Sequence, residues 1–263
     1  MSALPALFVG HGAPTFALDP GAAGAALAAA PDRWPRPCAV LSVSAHWNSS
    51  VPTLGGAARP ETVHDFWGFP QPLYDLQYPA PGDPDLARRA AELLGQAGLS
   101  ADIAPHRGLD HAVWIPLRLM YPGAEVPVVP MSIQSRLGPE HHLHLGQVLA
   151  PLLTQGVLLV ASGNLTHNLG HWHQAGQVSL DYVADFSNWF RERLAGGDVA
   201  ALLDYRRLAP GARDAHPTEE HLLPLYVALG AAGTAFRAEP LYRGVSERVL
   251  AMDSYALWPS TLD

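Results

Sequence analysis

Three apolar runs in this chain each end near a histidine, and this pattern most constrains what the chain can fold into. Leu4–Val9 leads into Gly10-His11-Gly12, Ala39–Ser44 leads into Ala45-His46-Trp47, and Val157–Ala161 leads into Ser162-Gly163-Asn164-Leu165-Thr166-His167. Short runs of this kind, rich in β-branched residues and bounded by glycine and polar residues, predict buried strands of an α/β sheet. Ligands of such sheets bind beyond the carboxyl ends of the strands. We therefore expect His11, His46 and His167 to meet at one sheet edge, as a metal site or an acid–base site.

The length and composition predict one compact α/β domain that spans residues 1–263. Hydrophobic residues make up 48% of the chain and charged residues only 15%, which is typical of a globular protein. The 16 basic and 24 acidic residues give a formal net charge of −8, and no basic cluster exceeds two adjacent residues. Nucleic acid is therefore not expected as a partner.

The start of the sequence, MSALPALFVGHG, lacks the charged and long apolar regions of a secretory signal. No apolar stretch is long enough to span a bilayer. We therefore expect a cytoplasmic protein with no membrane partner, and the sequence is compatible with a homo-oligomer. The single cysteine, Cys38, has no partner for an intrachain disulfide, and the apolar run beside it predicts a packed, inert thiol.

The remaining pattern predicts a mixed, mostly parallel central sheet with helices on both faces. The predicted strands are Ala3–Val9, Pro37–Ala45, Val51–Leu54, Ala101–Ala104, Val126–Ile133, Val157–Ala161, Ala235–Leu241 and Val249–Ala251. The predicted helices are Pro20–Ala30, Pro84–Gly98 capped by Asp83, His111–Met120, Pro139–Ala150, Leu180–Ala195 and Glu219–Gly230 capped by Thr218. Residues 59–81 are rich in proline and aromatic side chains, which predicts a long ordered loop of functional importance.

Other polar residues have both a functional and a structural interpretation. His111 follows Asp110, and a carboxylate raises the pKa of an imidazole that it contacts, although adjacency in sequence does not guarantee contact. His221 falls in the first turn of the predicted helix after residue 218, where it can point off the helix end. Glu219 and Glu220 offer carboxylate ligands there, but acidic side chains at a helix start are more often solvated.

For three further histidines, which begin a predicted helix, a structural role is favoured over a functional one. His141, His142 and His144 lie at the start of the predicted helix Pro139–Ala150 and are interpreted as a solvated face.

Six segments together resemble the LigB-type class III extradiol ring-cleavage dioxygenases, in particular the 4,5-DOPA dioxygenase branch. The segments are GHGAP (10–14), SAHW (44–47), HDFWGFPQPLYDLQYPAPG (64–82), GLDHAVW (108–114), SGNLTHNL (162–169) and HPTEEHLLPLYVALGAAG (216–233). Each segment alone is a weak signal, but their order along nearly the whole chain is specific to this family.

The resemblance implies one metal centre and a reaction between a catechol and O2. His11, His46 and His221 match the metal ligands, although many relatives have a glutamate at the third position. His167 matches the acid–base residue and His111 a further histidine near substrate and oxygen. The aromatic loop implies a pocket wall from His64, Phe66 and Tyr78, which bind the substrate ring.

The three imidazoles leave the metal and the reaction open at this stage. Fe(II) is expected for the dioxygenase reaction, but three neutral imidazoles also suit a catalytic Zn(II) at the same site. A zinc-dependent hydrolase with a metal-bound hydroxide and a metal-binding relative without activity are therefore alternatives.

Overall fold

One eight-stranded sheet organises the part of the chain that the structure describes, residues 3–173 and 180–260 of a computed structural model. The strands are β1 Ala6–Gly10, β2 Ala39–Asn48, β3 Thr53–Gly55, β4 Asp102–Ala104, β5 Val128–Ile133, β6 Val157–Gly163, β7 Phe236–Tyr242, β8 Val245–Ser246, β9 Leu250–Ala251 and β10 Ser254–Pro259. Their order in the sheet is β4-β3-β5-β2-β6-β1-β10-β7, and β8 and β9 form a separate ribbon.

The centre of the sheet is parallel, which brings the histidine-bearing strand ends to one edge. Strand β6 pairs in parallel with both β1 and β2, and β2 pairs in parallel with β5. The pairs of β10 with β1 and β7, and of β3 with β5, are antiparallel. The prediction of a mixed, mostly parallel sheet is therefore confirmed.

Helices cover both faces of this sheet. They are α1 Gly21–Ala29, α2 Gln71–Tyr74, α3 Pro84–Gln96, α4 His111–Met120, α5 Gly138–Leu149, α6 Pro151–Thr154, α7 Leu169–His173, α8 Asp181–Gly196, α9 Val199–Leu203, α10 Tyr205–Leu208, α11 Ala212–Ala215 and α12 Leu223–Ala232. Neighbouring residues of β1 belong to different core clusters, Phe8 on one face and Leu7 on the other, so the strand is buried on both sides. Among the described residues, every helix is too short or too polar to cross a bilayer.

The structure differs from the sequence predictions near the C-terminal end of the chain. Strand β10 was not among the predicted strands, yet it pairs with β1 from Ala6↔Leu257 to Phe8↔Tyr255. Helix α12 begins at Leu223, later than predicted, and Thr218 donates to the Glu220 carboxylate rather than capping a helix. The physical reason is tertiary: the amide of Asn164 binds the carbonyl of His221 at 3.0 Å, which holds this segment in a turn.

The environment of Cys38 also differs from the prediction. Its side chain is exposed, because it precedes β2 at the sheet end remote from the histidines, where its Sγ atom lies near the carbonyls of Gln155 and Gly156. A packed thiol is therefore wrong for this position.

His142 is buried, contrary to the solvated helix face that the sequence predicts. Its Nδ1 atom donates to the carbonyl of Gly138 at 2.6 Å, and its Nε2 atom accepts from the amide of Gln134 at 3.2 Å. One ring nitrogen therefore donates and the other accepts, as in a neutral imidazole. These two hydrogen bonds connect the first turn of α5 to the residue after β5. Burial lowers the pKa of His142 to about 4.

The free energy of unfolding should therefore fall as the pH decreases from 6.5 to about 4. Over that range the unfolded chain accepts a proton on His142 that the folded protein does not, so the slope from this residue approaches about 1.4 kcal/mol per pH unit. Chemical denaturation of metal-free protein at several pH values measures the slope. His142→Gln should lack this share of it, and equal slopes for the variant and the wild type would contradict the assignment.

Candidate active site

Strand ends place His11 and His46 side by side. His11 directly follows β1, and its amide donates to the carbonyl of Gly163 at 3.0 Å, which continues the pairing of β1 with β6. His46 lies in the last part of β2, which extends beyond its pairing with β6. The Nε2 atoms of His11 and His46 are 3.3 Å apart.

The residues that follow β6 bring His221 to the same place. Asn164 binds the His221 carbonyl through its amide, and its side-chain oxygen accepts from the amide of Gly12 at 3.0 Å. A β-carbon on Gly163 would lie 2.1 Å from the His221 carbonyl oxygen, so only glycine permits this approach. The segment after β6 therefore positions two histidines that are far apart in sequence. The Nε2 atom of His221 lies 3.1 Å from that of His46.

All three imidazoles are held in the neutral form. Burial is the largest cause of the lowered pKa of His11 and His221, and the neighbouring histidines lower both further. Burial, and then the charge of His111, lower the pKa of His46 to about 3. Neutral imidazole is the form that binds a metal ion.

The donor set fits a divalent transition metal. A metal bound by imidazole nitrogens at about 2.0–2.1 Å separates neighbouring ligand atoms by about 2.8–3.4 Å, from octahedral to tetrahedral geometry. The observed separations of 3.1 and 3.3 Å lie in this range. The Nδ1 atom of His11 lies 3.1 Å from the Ser162 hydroxyl, so a proton on Nδ1 leaves the Nε2 lone pair facing the cluster. Lone pairs so close repel one another unless a cation or proton lies between them.

His167 and His111 flank this cluster. The His167 ring stacks on the His221 ring with centroids 3.5 Å apart and planes 7° apart. The centroids of the His111 and His46 rings are 4.1 Å apart. Burial lowers the pKa of His167 to about 4, so it is a neutral base at pH 7.

Asp65 is the site residue that the sequence analysis missed. Its Oδ1 atom accepts from the amide and from Nδ1 of His111, at 3.0 and 2.9 Å, and Oδ2 lies 3.7 Å from Nδ1 of His46. Burial alone would raise the pKa of Asp65, but the bonds and charge of His111 outweigh it and bring the pKa to about 2. The carboxylate is therefore ionised, and it lies at the start of α4, where the helix dipole favours negative charge.

Asp110 does not pair with the imidazole of its neighbour. It is fully buried, accepts from the Ser44 hydroxyl at 2.7 Å and pairs with Arg107 at 2.6 Å. The carboxylate that binds His111 is instead that of Asp65, in the aromatic loop. The signal in the sequence is an acidic residue, Asp65, next to His64 in an otherwise aromatic and proline-rich stretch.

A cavity of about 330 Å³ opens above the cluster. His46, His111, His167 and Asp65 are the titratable residues among those that line it. Apolar side chains form much of the remaining wall: Pro14, Phe66, Trp67, Phe69, Leu169, Trp172 and Leu250. Its size and apolar wall are typical of a site for a small organic molecule.

The two other residues expected to wall the cavity lie behind it. His64 binds the carbonyl of Leu76 at 3.0 Å and packs edge-on against Phe66, with ring centroids 5.7 Å apart. Tyr78 is buried, and its hydroxyl donates to the carbonyl of Tyr121. Neither is among the described residues that line the cavity. His64 supports the Phe66 ring from behind, and Tyr78 belongs to the same apolar cluster as Phe66.

Glu219, Glu220 and the nearby buried His216 face elsewhere or contact the other nitrogen of His221. His216 binds the carbonyl of Leu165 at 2.8 Å, and Glu219 accepts from Tyr205 and Arg206. Glu220 lies 3.5 Å from Nδ1 of His221, the nitrogen that faces away from His46.

The fold and the cluster define an α/β enzyme with a histidine-rich site at the carboxyl edge of its sheet. The family model described as "Catalytic LigB subunit of aromatic ring-opening dioxygenase" matches residues 25–252, and the chain belongs to this family. It is an aromatic ring-opening dioxygenase, and the family implies a bound metal.

Named relatives agree with this family over most of their length. The chain is 37% identical over 255 residues to a 4,5-DOPA dioxygenase extradiol of Beta vulgaris, covering 94% of each protein. It is 39% identical over 233 residues to a protein of the same name from Escherichia coli K12, covering 87% of this chain and 85% of the relative. The crystal structure of an uncharacterized protein from Escherichia coli K12 has a TM-score of 0.78 at 30% identity, covering 96% of this chain and 98% of the other.

Proposed function

We propose that this protein opens the ring of a catechol beside its two hydroxyl groups, with both atoms of O2 entering the product. The observation that carries the proposal is the convergence of three neutral imidazoles, His11, His46 and His221, on one point beside an apolar cavity that His46 lines. The names of the relatives favour a DOPA-like catechol as the general substrate class. We further propose that residues 1–263 act as one catalytic unit in the cytoplasm.

We assign the three imidazoles as the ligands of Fe(II). When bound, Fe(II) acidifies the hydroxyls of a coordinated catechol and allows electrons to pass from the ring to O2. The remaining steps are functions of the protein. The apolar wall holds the flat ring and excludes water, and the three ligands fix where the two hydroxyls lie.

His167 is assigned as the general base and acid. It is neutral at pH 7, lines the cavity and stacks on His221, so it lies beside the cluster without belonging to the converging trio. In this role it takes a proton from a catechol hydroxyl and returns it when the O–O bond breaks. Hydrolysis of the expanded ring then gives a semialdehyde acid.

His111 is assigned to stabilise negative charge that develops on oxygen. Its Nδ1 atom is bound to Asp65, so Nε2 is the ring nitrogen left for substrate or oxygen. Nε2–H donates a hydrogen bond to that oxygen when both ring nitrogens carry protons.

The function is tested by anaerobic loading of metal-free protein with Fe(II), followed by oxygen uptake on a panel of catechols that includes DOPA. We expect one O2 consumed per catechol and a ring-opened product with new visible absorbance. Loading with Zn(II), which also suits three imidazoles but has no redox chemistry, should give a metallated protein without oxygen uptake. Absence of uptake by the Fe(II) protein on every catechol would contradict the proposal.

Asp65→Asn should lower catechol turnover by about 10–100-fold at saturating Fe(II), with metal content unchanged. Asparagine keeps an oxygen that accepts from Nδ1 of His111 but removes the negative charge beside the His111 and His46 rings. Turnover and metal content of the same samples check this expectation. Asp75→Asn, an exposed position on the same loop, is the matched control and should behave like the wild type. Equal turnover in both variants would show that the Asp65 charge has no role.

A further inference from the structure

Strand β2 bulges where it carries His46 to the site. Its last pair with β6 is at Ser44, and its pairing with β5 is interrupted between Val43 and Asn48, where four residues of β2 lie opposite one residue of β5. Bulges of this kind redirect side chains and are common beside active sites. Among the described strand pairs, none includes His46, so contacts outside the strand pairing must hold its backbone.

A chain of hydrogen bonds holds this bulge. The amide of His46 donates to the Ser44 hydroxyl at 3.1 Å, and that hydroxyl donates to Oδ1 of Asp110 at 2.7 Å. The other carboxylate oxygen, Oδ2, accepts from the guanidinium of Arg107 at 2.6 Å. Ser44 and Asp110 are fully buried, where hydrogen bonds are stronger than in water. Ser44 therefore links the backbone of a proposed metal ligand to a buried carboxylate.

The segment that carries Asp110 contacts the bulge a second time. The guanidinium of Arg107 lies 4.6 Å from the centre of the Trp47 ring, in the same bulge. Leu109 anchors the segment to the aromatic loop through two backbone hydrogen bonds of 2.8 Å. The segment leads directly into His111, so these contacts fix the bulge of β2 relative to His111.

We propose that Asp110 is a positioning residue for the metal site, which acts through Ser44 on the backbone of His46. The inference rests on the proposed ligand set. Asp110 precedes α4, where an aspartate commonly caps the helix, but its side chain makes no capping hydrogen bond and binds Ser44 instead. Without this link the bulge would be ordered only when metal binds, and the entropy lost in that step would weaken binding.

Ser44→Ala removes the link and leaves Asp110 paired with Arg107. We expect the Kd for Zn(II), measured by chelator competition on the full-length metal-free protein, to rise by about 10-fold, the lower end of the effect of residues that orient a ligand. Ser42→Ala is the matched control and should bind Zn(II) like the wild type. Ser42 is fully buried on the same strand, and its hydroxyl has no hydrogen-bond partner among the described residues. Equal Kd values for Ser44→Ala and the wild type would overturn the inference.

A double variant tests whether Ser44 and Asp110 act as one chain. Asparagine at position 110 offers one oxygen where the donors of Ser44 and Arg107 need one each, so Asp110→Asn should raise the Kd at least as far as Ser44→Ala. The double variant should bind Zn(II) no more weakly than Asp110→Asn alone, because both changes break the same link. Additive losses would overturn the inference. If Asp110→Asn does not fold, the comparison of Ser44→Ala with Ser42→Ala decides.

The Zn(II) readout separates this inference from a general loss of stability and from the proposed reaction. A lower Tm of metal-free Ser44→Ala with an unchanged Kd would show a structural role only and refute the positioning role. Absence of oxygen uptake on every catechol would refute the reaction and leave the positioning role standing. If His46→Ala bound Zn(II) like the wild type, the ligand assignment and this inference would fall together.

Discussion

His167→Ala should lower catechol turnover by about 10²–10⁴-fold while leaving the metal content nearly intact. The expected loss is that of a general acid–base group, since the imidazole lines the cavity and stacks on His221 without joining the trio of His11, His46 and His221. The comparison requires Fe(II)-loaded proteins of measured metal content, because poor metallation would imitate a catalytic defect.

Two further variants show whether the loss of turnover in His167→Ala comes from the missing proton carrier. His167→Gln keeps much of the packing against His221 but cannot carry a proton, so it should be nearly as impaired as the alanine variant. His144→Ala, at an exposed histidine on α5, should retain full turnover. Wild-type turnover of His167→Ala would make this residue structural and His111 the leading acid–base candidate. Loss of metal as complete as in a ligand variant would instead make His167 a ligand.

Removal of any of the three proposed ligands should weaken metal binding by more than about 100-fold. Removal of a residue that only orients a ligand typically lowers metal affinity by about 10–100-fold. Removal of a ligand, which bonds the metal directly, is therefore expected to lower it more. Metal content after dialysis against a chelator measures the effect for His11→Ala, His46→Ala and His221→Ala. Metal should also raise the Tm of the wild type but not of these variants, because a ligand stabilises only the state that binds it.

His216 provides the control for the ligand assignment. It is buried like His11 and His221 and lies only five positions from His221, but its Nε2 atom is bound to the carbonyl of Leu165. His216→Gln should lower the Tm and retain the metal. If His216→Gln lost the metal and His221→Ala kept it, only the third ligand would be reassigned.

The arrangement of strands could be predicted from the sequence because each central strand carries its own signal. Apolar runs of five or six residues that lead toward a histidine are local features, and parallel pairing fixes which ends meet. This was enough to predict that His11, His46 and His167 lie at one edge. The position of His221 depended on the resemblance to a family, since nothing local shows that Asn164 draws its carbonyl to the sheet.

The other misses have the same physical origin. Asp65 reaches His111 across 46 positions from an irregular loop, where no periodicity indicates the direction of a side chain. Thr218 and the two glutamates after it have the composition of a helix start, but the tertiary bond to His221 delays the helix to Leu223. In the sequence His142 cannot be distinguished from its neighbours His141 and His144. It is buried because it contacts Gln134, the residue that follows β5, and this contact is tertiary.

The pairing of β1 with β10 has a consequence for how the protein matures on the ribosome. The amide of Gly10 donates to the hydroxyl of Ser254 across 244 positions, so β1 gains its last neighbour only when nearly the whole chain has emerged. At about 5–20 residues per second that interval is about 12–50 s, during which the edge of β1 that faces β10 has no partner strand. Contacts this distant in sequence also make folding slow. Nascent chains should therefore acquire metal only after synthesis passes β10, and pulse-labelled chains stalled before Ser254 should retain none.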